Sequence, residues 1–301
     1  MKKKILAIGL AAAMSVTAVG LMAGCGTDGA SITQITVAFS RPASSGTYGA
    51  FNELVVNSDG KSIDEARNDD GLDFAENVQY SNETGTVIAD VAANPQSLGY
   101  ISLGAVAANT DKIKAVQVNG VDATVANIES GDYKLSRPFN LVYKSYDDLS
   151  DLAKNFISFI ESTEGQAFVN EDYIGQAENP VAYVPYEGDE MTLTLTGSTS
   201  VQPLMRDFII PAFQEANPGK NFTINLSGSG SGQGETDAVA GNNDMGMISR
   251  ELGESYTSQL EAHTIALDGI AVIVQKDVRL TNVTFDQLYN LYMNGTPIQI
   301  A

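Results

Sequence analysis

Short β-rich runs alternate with helical stretches along this chain, the pattern of an α/β protein. ITQITVAF (32–39) predicts a strand, followed by a turn and a helix over TYGAFNELVV. SLGYISLG (97–104) and KIKAVQV (112–118) predict further strands. RPFNLVYK (137–144) predicts another, leading into the helix LSDLAKNFISFIES. A second helix, TEGQAFVNEDY, opens with Thr163 three residues before Gln166, the spacing of a capping box. From Gly175 to Glu190 the sequence GQAENPVAYVPYEGDE is dense in Pro, Gly and acids and predicts a connector.

Beyond the connector a strand from Met191 to Leu195 runs into the turn TGSTS and the helix VQPLMRDFIIPAFQEANPG. Val201, Leu204, Met205, Phe208, Ile209, Ala212 and Phe213 recur at helical spacing and form one apolar face. Pro203 suits a first turn, Pro211 is expected to kink the interior, and Asn217-Pro218-Gly219 ends the helix. The strand NFTINLS, the loop GSGSGQG, a helix and the strand DMGMIS follow. The apolar run IALDGIAVIVQK and the helix TFDQLYNLYMNG come last, and no internal repeat is present.

The first 25 residues stand apart. Lys2, Lys3 and Lys4 precede an apolar stretch from Ile5 to Val19 and then small residues, which reads as a secretory signal over 1–24. Cys25 is the sole cysteine, so a disulfide framework is excluded. The stretch LMAGC resembles a bacterial lipobox, which implies that Cys25 is acylated and that residues 25–31 form a polar tether on the outer face of the cell membrane.

Charge narrows the partners. The formal net charge is −20, and losing Lys2, Lys3 and Lys4 with the leader takes 17 basic residues to 14 against 37 acidic ones, a charge of −23. Such a surface repels nucleic acid and anionic lipid. Any anionic ligand must be held by local chemistry.

Three segments offer that chemistry on one plan of strand, Ser/Thr/Gly turn and helix start: SRPASSGTYGAF (40–51), TGSTSVQPL (196–204) and SGSGSGQGETDAV (227–239). A helix N-terminus presents unpaired N–H groups and a partial positive charge, so it attracts oxyanions; hydroxyls add donors, and glycine lets the backbone approach. Taken singly, each turn also reads as ordinary N-capping, and GSGSGQG as a flexible linker. In NDMGMISREL (243–252) a strand ends in Ser249-Arg250 at an expected helix start. Arg250 and Arg41 offer guanidinium groups that can grip an oxyanion through two parallel hydrogen bonds, or pair with surface carboxylates.

Together GSTSVQPL, GSGSGQG, DMGMISREL, IALDGIAVIV, SRPASSGTYGAF, LGYISLG and SRPFNLVYK resemble the phosphate-binding lipoproteins of bacterial phosphate ABC transporters. The resemblance spans nearly all of the mature chain except the connector. It implies a two-lobed periplasmic-binding-protein fold of type II, with phosphate enclosed between the lobes. In the usual member GSTSVQPL comes first and the SRPASSGTYGAF-like motif later. Here that order is reversed, so the chain resembles a circular permutant in which residues 175–190 bridge the usual termini. RPFNLVYK and GIAVIVQK then cross between a continuous lobe, 137–272, and a discontinuous one, 32–136 plus 273–301.

Carried over by motif, the continuous lobe supplies Ser200, the N–H of Val201, Thr199, Ser231 and Ser249, with Arg250 added; the other supplies Arg41, Ser45, Gly46 and Thr47. Ser249 stands where some members have an Asp that accepts the ligand's proton, Ala43 where they place an acid beside the arginine, and Tyr48 where Arg is common. Phosphate and sulfate differ chiefly in that proton. Asp268 and Glu251 are therefore the candidate acceptors, and Asp268 reads equally as a carboxylate that stabilises the hinge.

The resemblance implies capture of inorganic phosphate for ABC transporter permease subunits, and the chain is expected to act as a monomer without cofactor or metal. Sulfate, molybdate or a sensing role are the alternatives. A secreted phosphatase or serine hydrolase fits poorly. His263 is the sole histidine, no G-x-S-x-G elbow occurs, and GSGSGQG lacks the lysine of a P-loop.

Overall fold

One ten-stranded sheet runs through the protein. The computed structural model describes residues 32–68 and 70–300, so the leader and Cys25 lie outside the described residues. The strands in chain order are β1 (Val37–Ser40), β2 (Val78–Tyr80), β3 (Ser97–Ser102), β4 (Ile113–Ala115), β5 (Ser136–Tyr143), β6 (Ile174–Gly175), β7 (Thr192–Gly197), β8 (Thr223–Gly228), β9 (Met245–Ile248) and β10 (Glu261–Gln275). Their order across the sheet is β8-β7-β9-β5-β10-β3-β1-β2, with β4 and β6 also pairing with β10. The helices that matter below are α1 (Gly46–Leu54), α2 (Thr84–Ala93), α3 (Asp151–Glu161), α4 (Thr163–Asp172), α5 (Ser231–Ala240) and α6 (Phe285–Asn294).

Both ends of the sheet are parallel and its middle is antiparallel. That arrangement makes two α/β lobes joined by long strands. Residues 261–269 of β10 lie against β5, and Ile270–Val274 lie against β3. Alternation along β10 then feeds two layers at once. Ile270, Val272 and Val274 enter one apolar cluster with Phe51, Tyr100, Leu288 and Tyr292, whereas Ala271 and Ile273 face Val87, Val91 and Ile101 under α2. A separate core joins Phe139 and Leu141 of β5 to Phe156 and Phe159 of α3, Leu195 of β7 and Met247 of β9.

Several expected elements are redrawn. Thr36 interrupts the first strand, so Gln34–Ile35 pairs separately with Ile298–Gln299. KIKAVQV divides into β4 and Gln117–Val118, the latter pairing with Asn282–Val283. The cap of α4 is Ser162, not Thr163: its hydroxyl accepts from Gly165 N at 3.1 Å, while Gln166 turns away to Ile160 O. A capping box does form at α6, between Thr284 and Gln287. After TGSTS, residues Leu204–Ile209 are a π-helix that continues into an α-helix at Ile210–Glu215. The cause is Pro211, which lacks an N–H and whose ring crowds the carbonyl four residues earlier; the wider turn accommodates both. The expected apolar face survives, with Val201, Leu204, Met205, Ile209 and Phe213 fully buried. No helix starts at Ser249; the chain bends there and forms only a 3-10 turn at Glu254–Tyr256.

At the centre of the crossing strands, Arg137 of β5 stands opposite Asp268 of β10. The guanidinium reaches Asp268 Oδ2 from Nη2 at 3.0 Å and from Nε at 3.3 Å, and both side chains are essentially inaccessible to water. Burial pushes the Asp268 carboxyl above its ordinary value, and the Arg137 charge opposes that rise. Leaving either charge without its partner in this setting costs about 3–5 kcal/mol, whereas an apolar pair of similar volume costs far less. Arg137→Met and Asp268→Leu are each expected to lower stability by about that amount, and the double variant by clearly less than their sum. Chemical denaturation of the single and double variants measures this.

Candidate functional site

The three Ser/Thr/Gly turns meet where the lobes face each other. Their residues are far apart in sequence, and the contacts are direct. Thr47 Oγ1 lies 3.0 Å from Ser200 Oγ, Arg41 Nη2 donates to Thr199 Oγ1 at 2.9 Å, and Gly232 N donates to Ser44 O at 3.1 Å. Ser45, Thr47, Ser200, Ser231 and Ser249 are all buried.

Each turn arrives by a local rule. Ser45 is the N-cap of α1, yet its hydroxyl makes no capping bond. Gly230 is the N-cap of α5 at φ 97°, a left-handed conformation that favours glycine, so the helix opens without a capping side chain. In the third turn Ser198 caps the chain, its Oγ accepting from Ser200 N at 3.1 Å and Val201 N at 3.3 Å. Gly46 allows the closest approach. A Cβ there would lie 2.5 Å from Ser231 Oγ and 2.7 Å from Ser249 Oγ.

Ser249 is the hub of the hydroxyl network. Its Oγ accepts from Ser198 Oγ at 2.9 Å and from Arg137 Nη1 at 3.4 Å, and its N–H donates to Ser231 Oγ at 3.2 Å. Arg137 Nη1 also donates to the Ser249 carbonyl at 3.3 Å. The second guanidinium is Arg41, which is 1% exposed and anchored to Asn82 O at 3.0 Å and to Thr84 Oγ1 at 3.3 Å. Its Nε is buried without a hydrogen-bond partner. Burial lowers the Arg41 guanidinium to about 10, so it stays charged at neutral pH. Beside it a cleft of about 280 Å³ opens between Ser44, Ser45, Thr199 and the glycine loop. Asp268 pairs with Arg137, Arg41 is held by neutral oxygens, and Glu83 lines the cleft beside it, amid hydroxyls and helix N-termini. That is an oxyanion environment inside an acidic protein.

The structure therefore brings Arg41, Ser45, Gly46, Thr47, Thr199, Ser200, Ser231 and Ser249 together, with Val201 N adjacent but engaged by Ser198. Arg250 is turned elsewhere: Nη2 pairs with the buried Glu235 at 2.6 Å, and its stem covers Gly49. Asp268 is tied to Arg137 and to Ser102, whose hydroxyl donates at 2.9 Å, and Glu251 is exposed. Sequence reasoning passed over Ser198 and Arg137. Ser198 lay within the quoted turn as an ordinary cap, and Arg137 within a strand motif in which nothing signalled Asp268 as its partner.

This arrangement has relatives. The PBP superfamily domain matches residues 24–164 and 178–299, which sets the class of protein. The phosphate-binding protein PstS 2 of Streptococcus agalactiae is 32% identical over 300 residues, covering 98% of this chain and 97% of the relative. PstS 2 of Streptococcus pneumoniae is 35% identical over 297 residues, covering 96% and 95%. The crystal structure of a phosphate-binding protein of a phosphate ABC transporter from S. pneumoniae TIGR4 is 34% identical, with a TM-score of 0.64, covering 88% of this chain and 98% of that one. The chain belongs to the family of the phosphate-binding protein PstS, with its two-lobed periplasmic-binding fold. Because the alignments run through both chains, these relatives carry the motifs in the same order.

Gly46→Ala tests the close approach. Alanine suits the helical backbone at this position, but its Cβ crowds two buried hydroxyls and the Ser249 backbone, so stability is expected to fall by about 1–3 kcal/mol. The added Cβ has to displace Ser231 and Ser249, and phosphate affinity is expected to fall at least about tenfold by calorimetric titration.

Proposed function

We propose that this protein captures inorganic phosphate between its lobes and delivers it to the permease subunits of an ABC importer. The observation that carries this is the convergence of Thr47, Ser200, Ser231 and Ser249 with the N-terminus of α1 beside the buried Arg41. Neutral dipoles and the buried guanidinium of Arg41 suit an oxyanion, and the names of the relatives make phosphate the leading one. The lobes are 32–136 plus 273–301 and 137–272, and phosphate draws them together about β5 and β10. Cys25 carries the lipid that tethers a monomer to the outer face of the membrane.

Circular permutation relative to the usual motif order belongs to the same proposal. Residues 34–35 and 298–299 pair as neighbouring strands, and Ile300 N donates to Thr33 O at 2.8 Å. Residues 176–190 form no regular element and expose Val181 and Val184. Ends that lie side by side and a surface connector are what permutation needs. Binding without catalysis is the function: His263, the sole histidine, pairs with Glu161 at 2.9 Å on the continuous lobe.

Sulfate or molybdate is the second reading, favoured by one observation: the buried carboxylates near the site, Asp268 and Glu235, are both engaged by arginines. Calorimetric titration with phosphate, sulfate and molybdate decides between them. Phosphate is expected to bind most tightly, and sulfate binding equally well overturns the assignment. Arg41→Ala is expected to weaken phosphate binding by about 1.5–3 kcal/mol, the worth of a charged hydrogen bond. Unchanged affinity removes Arg41 from the site.

A further inference from the structure

Phosphate near neutral pH still carries a proton, and sulfate of the same shape carries none. A site that tells them apart must present an acceptor to that proton, and an unsatisfied acceptor penalises the wrong anion. The carboxylates do not supply it. Asp268 Oδ2 takes both Arg137 contacts and Oδ1 takes Ser102 Oγ. Glu235 Oε2 takes Arg250 Nη2 at 2.6 Å and Oε1 takes Gly253 N at 3.2 Å. Glu83 and Glu251 are exposed.

The hydroxyls can be assigned one by one, since each has one proton and two lone pairs. Ser198 Oγ accepts two backbone N–H groups and spends its proton on Ser249, so it is saturated. Ser249 Oγ already accepts from Ser198 and Arg137, so it can accept nothing more. Ser231 Oγ accepts Ser249 N and, at 3.5 Å, the one proton of Ser249 Oγ, so Ser249 is saturated and Ser231 keeps a proton to donate. Thr199 Oγ1 accepts from the Arg41 guanidinium and keeps one lone pair and its proton beside the cleft. Thr47 and Ser200 differ. Their bond of 3.0 Å consumes one proton and one lone pair between them, leaving one proton and three lone pairs. Both are 1% exposed, and they come from opposite lobes.

We infer that the Thr47–Ser200 hydroxyl pair, and no carboxylate, accepts the proton of bound hydrogen phosphate and so sets the preference for phosphate over sulfate. The inference rests on the phosphate reading above. Because each lobe contributes one hydroxyl, the acceptor is complete only when the lobes meet, so the proton is read at closure. Ser45, whose hydroxyl makes no capping bond, and Thr199 are the competing acceptors.

The test is titration with phosphate and with sulfate at about pH 8, where phosphate is mainly a singly protonated dianion matching sulfate in charge. Thr47→Val and Ser200→Ala are each expected to narrow the phosphate-to-sulfate affinity ratio at least about tenfold, because a buried polar partner is lost for one anion alone. Thr47→Ser keeps the hydroxyl and is expected to keep the ratio, which separates this effect from misfolding. Ser249→Ala removes the hydroxyl that holds Ser198 and Ser231 in place and is expected to weaken both anions alike. A ratio that survives Thr47→Val and Ser200→Ala overturns the inference, as does a ratio that collapses in Ser45→Ala, Thr199→Val, Glu83→Gln or Asp268→Asn instead. Wild-type protein that binds neither anion, or binds sulfate as tightly as phosphate, overturns the phosphate reading itself.

Discussion

The ion pair between Arg137 and Asp268 is the contact on which the rest of the centre depends. It joins the two crossing strands at one register position, where water is excluded and each charge needs the other. From it the network extends both ways, to Ser102 at the end of β3 and to Ser249 beyond β9. A strand pair that ties the lobes together thus also fixes the hydroxyl at the hub of the site. Asp268 holds Arg137 in place, and Arg137 in turn fixes the Ser249 hydroxyl.

That pair also settles the local charge. An acidic protein cannot attract an oxyanion by its overall field, so attraction has to arise at short range. Arg41, hydrogen-bonded to neutral oxygens, supplies the positive charge, and its burial limits screening by solvent. The remaining donors are hydroxyls and helix N-termini, which are neutral and impose no penalty of paired burial. Glycine matters at one position above all. Without a side chain at Gly46, α1 packs directly on Ser231 and Ser249.

The elements of the fold were largely legible in the chain. The β-rich run RPFNLVYK and the apolar run IALDGIAVIVQK marked β5 and β10, and the apolar stripe from Val201 to Phe213 marked a buried helix face. These signals are local, since side-chain periodicity follows from backbone geometry. The cap of α4 was misplaced by one residue because Ser162 and Thr163 are both competent and only packing separates them. The π-helix at Leu204–Ile209 was visible only as a proline expected to kink a helix.

The sequence by itself determined the α/β class, the three donor-rich turns, the connector and the family, because each is written in contiguous residues. It also named most of the residues that converge at the site. Tertiary structure alone decided which donors are free. Arg250 was drawn to Glu235, Asp268 to Arg137, and Ser249 to Ser198, all partners between 15 and 131 residues away. A hydrogen bond is spent on whichever partner the fold brings within about 3 Å, and that distance is not encoded by spacing along the chain.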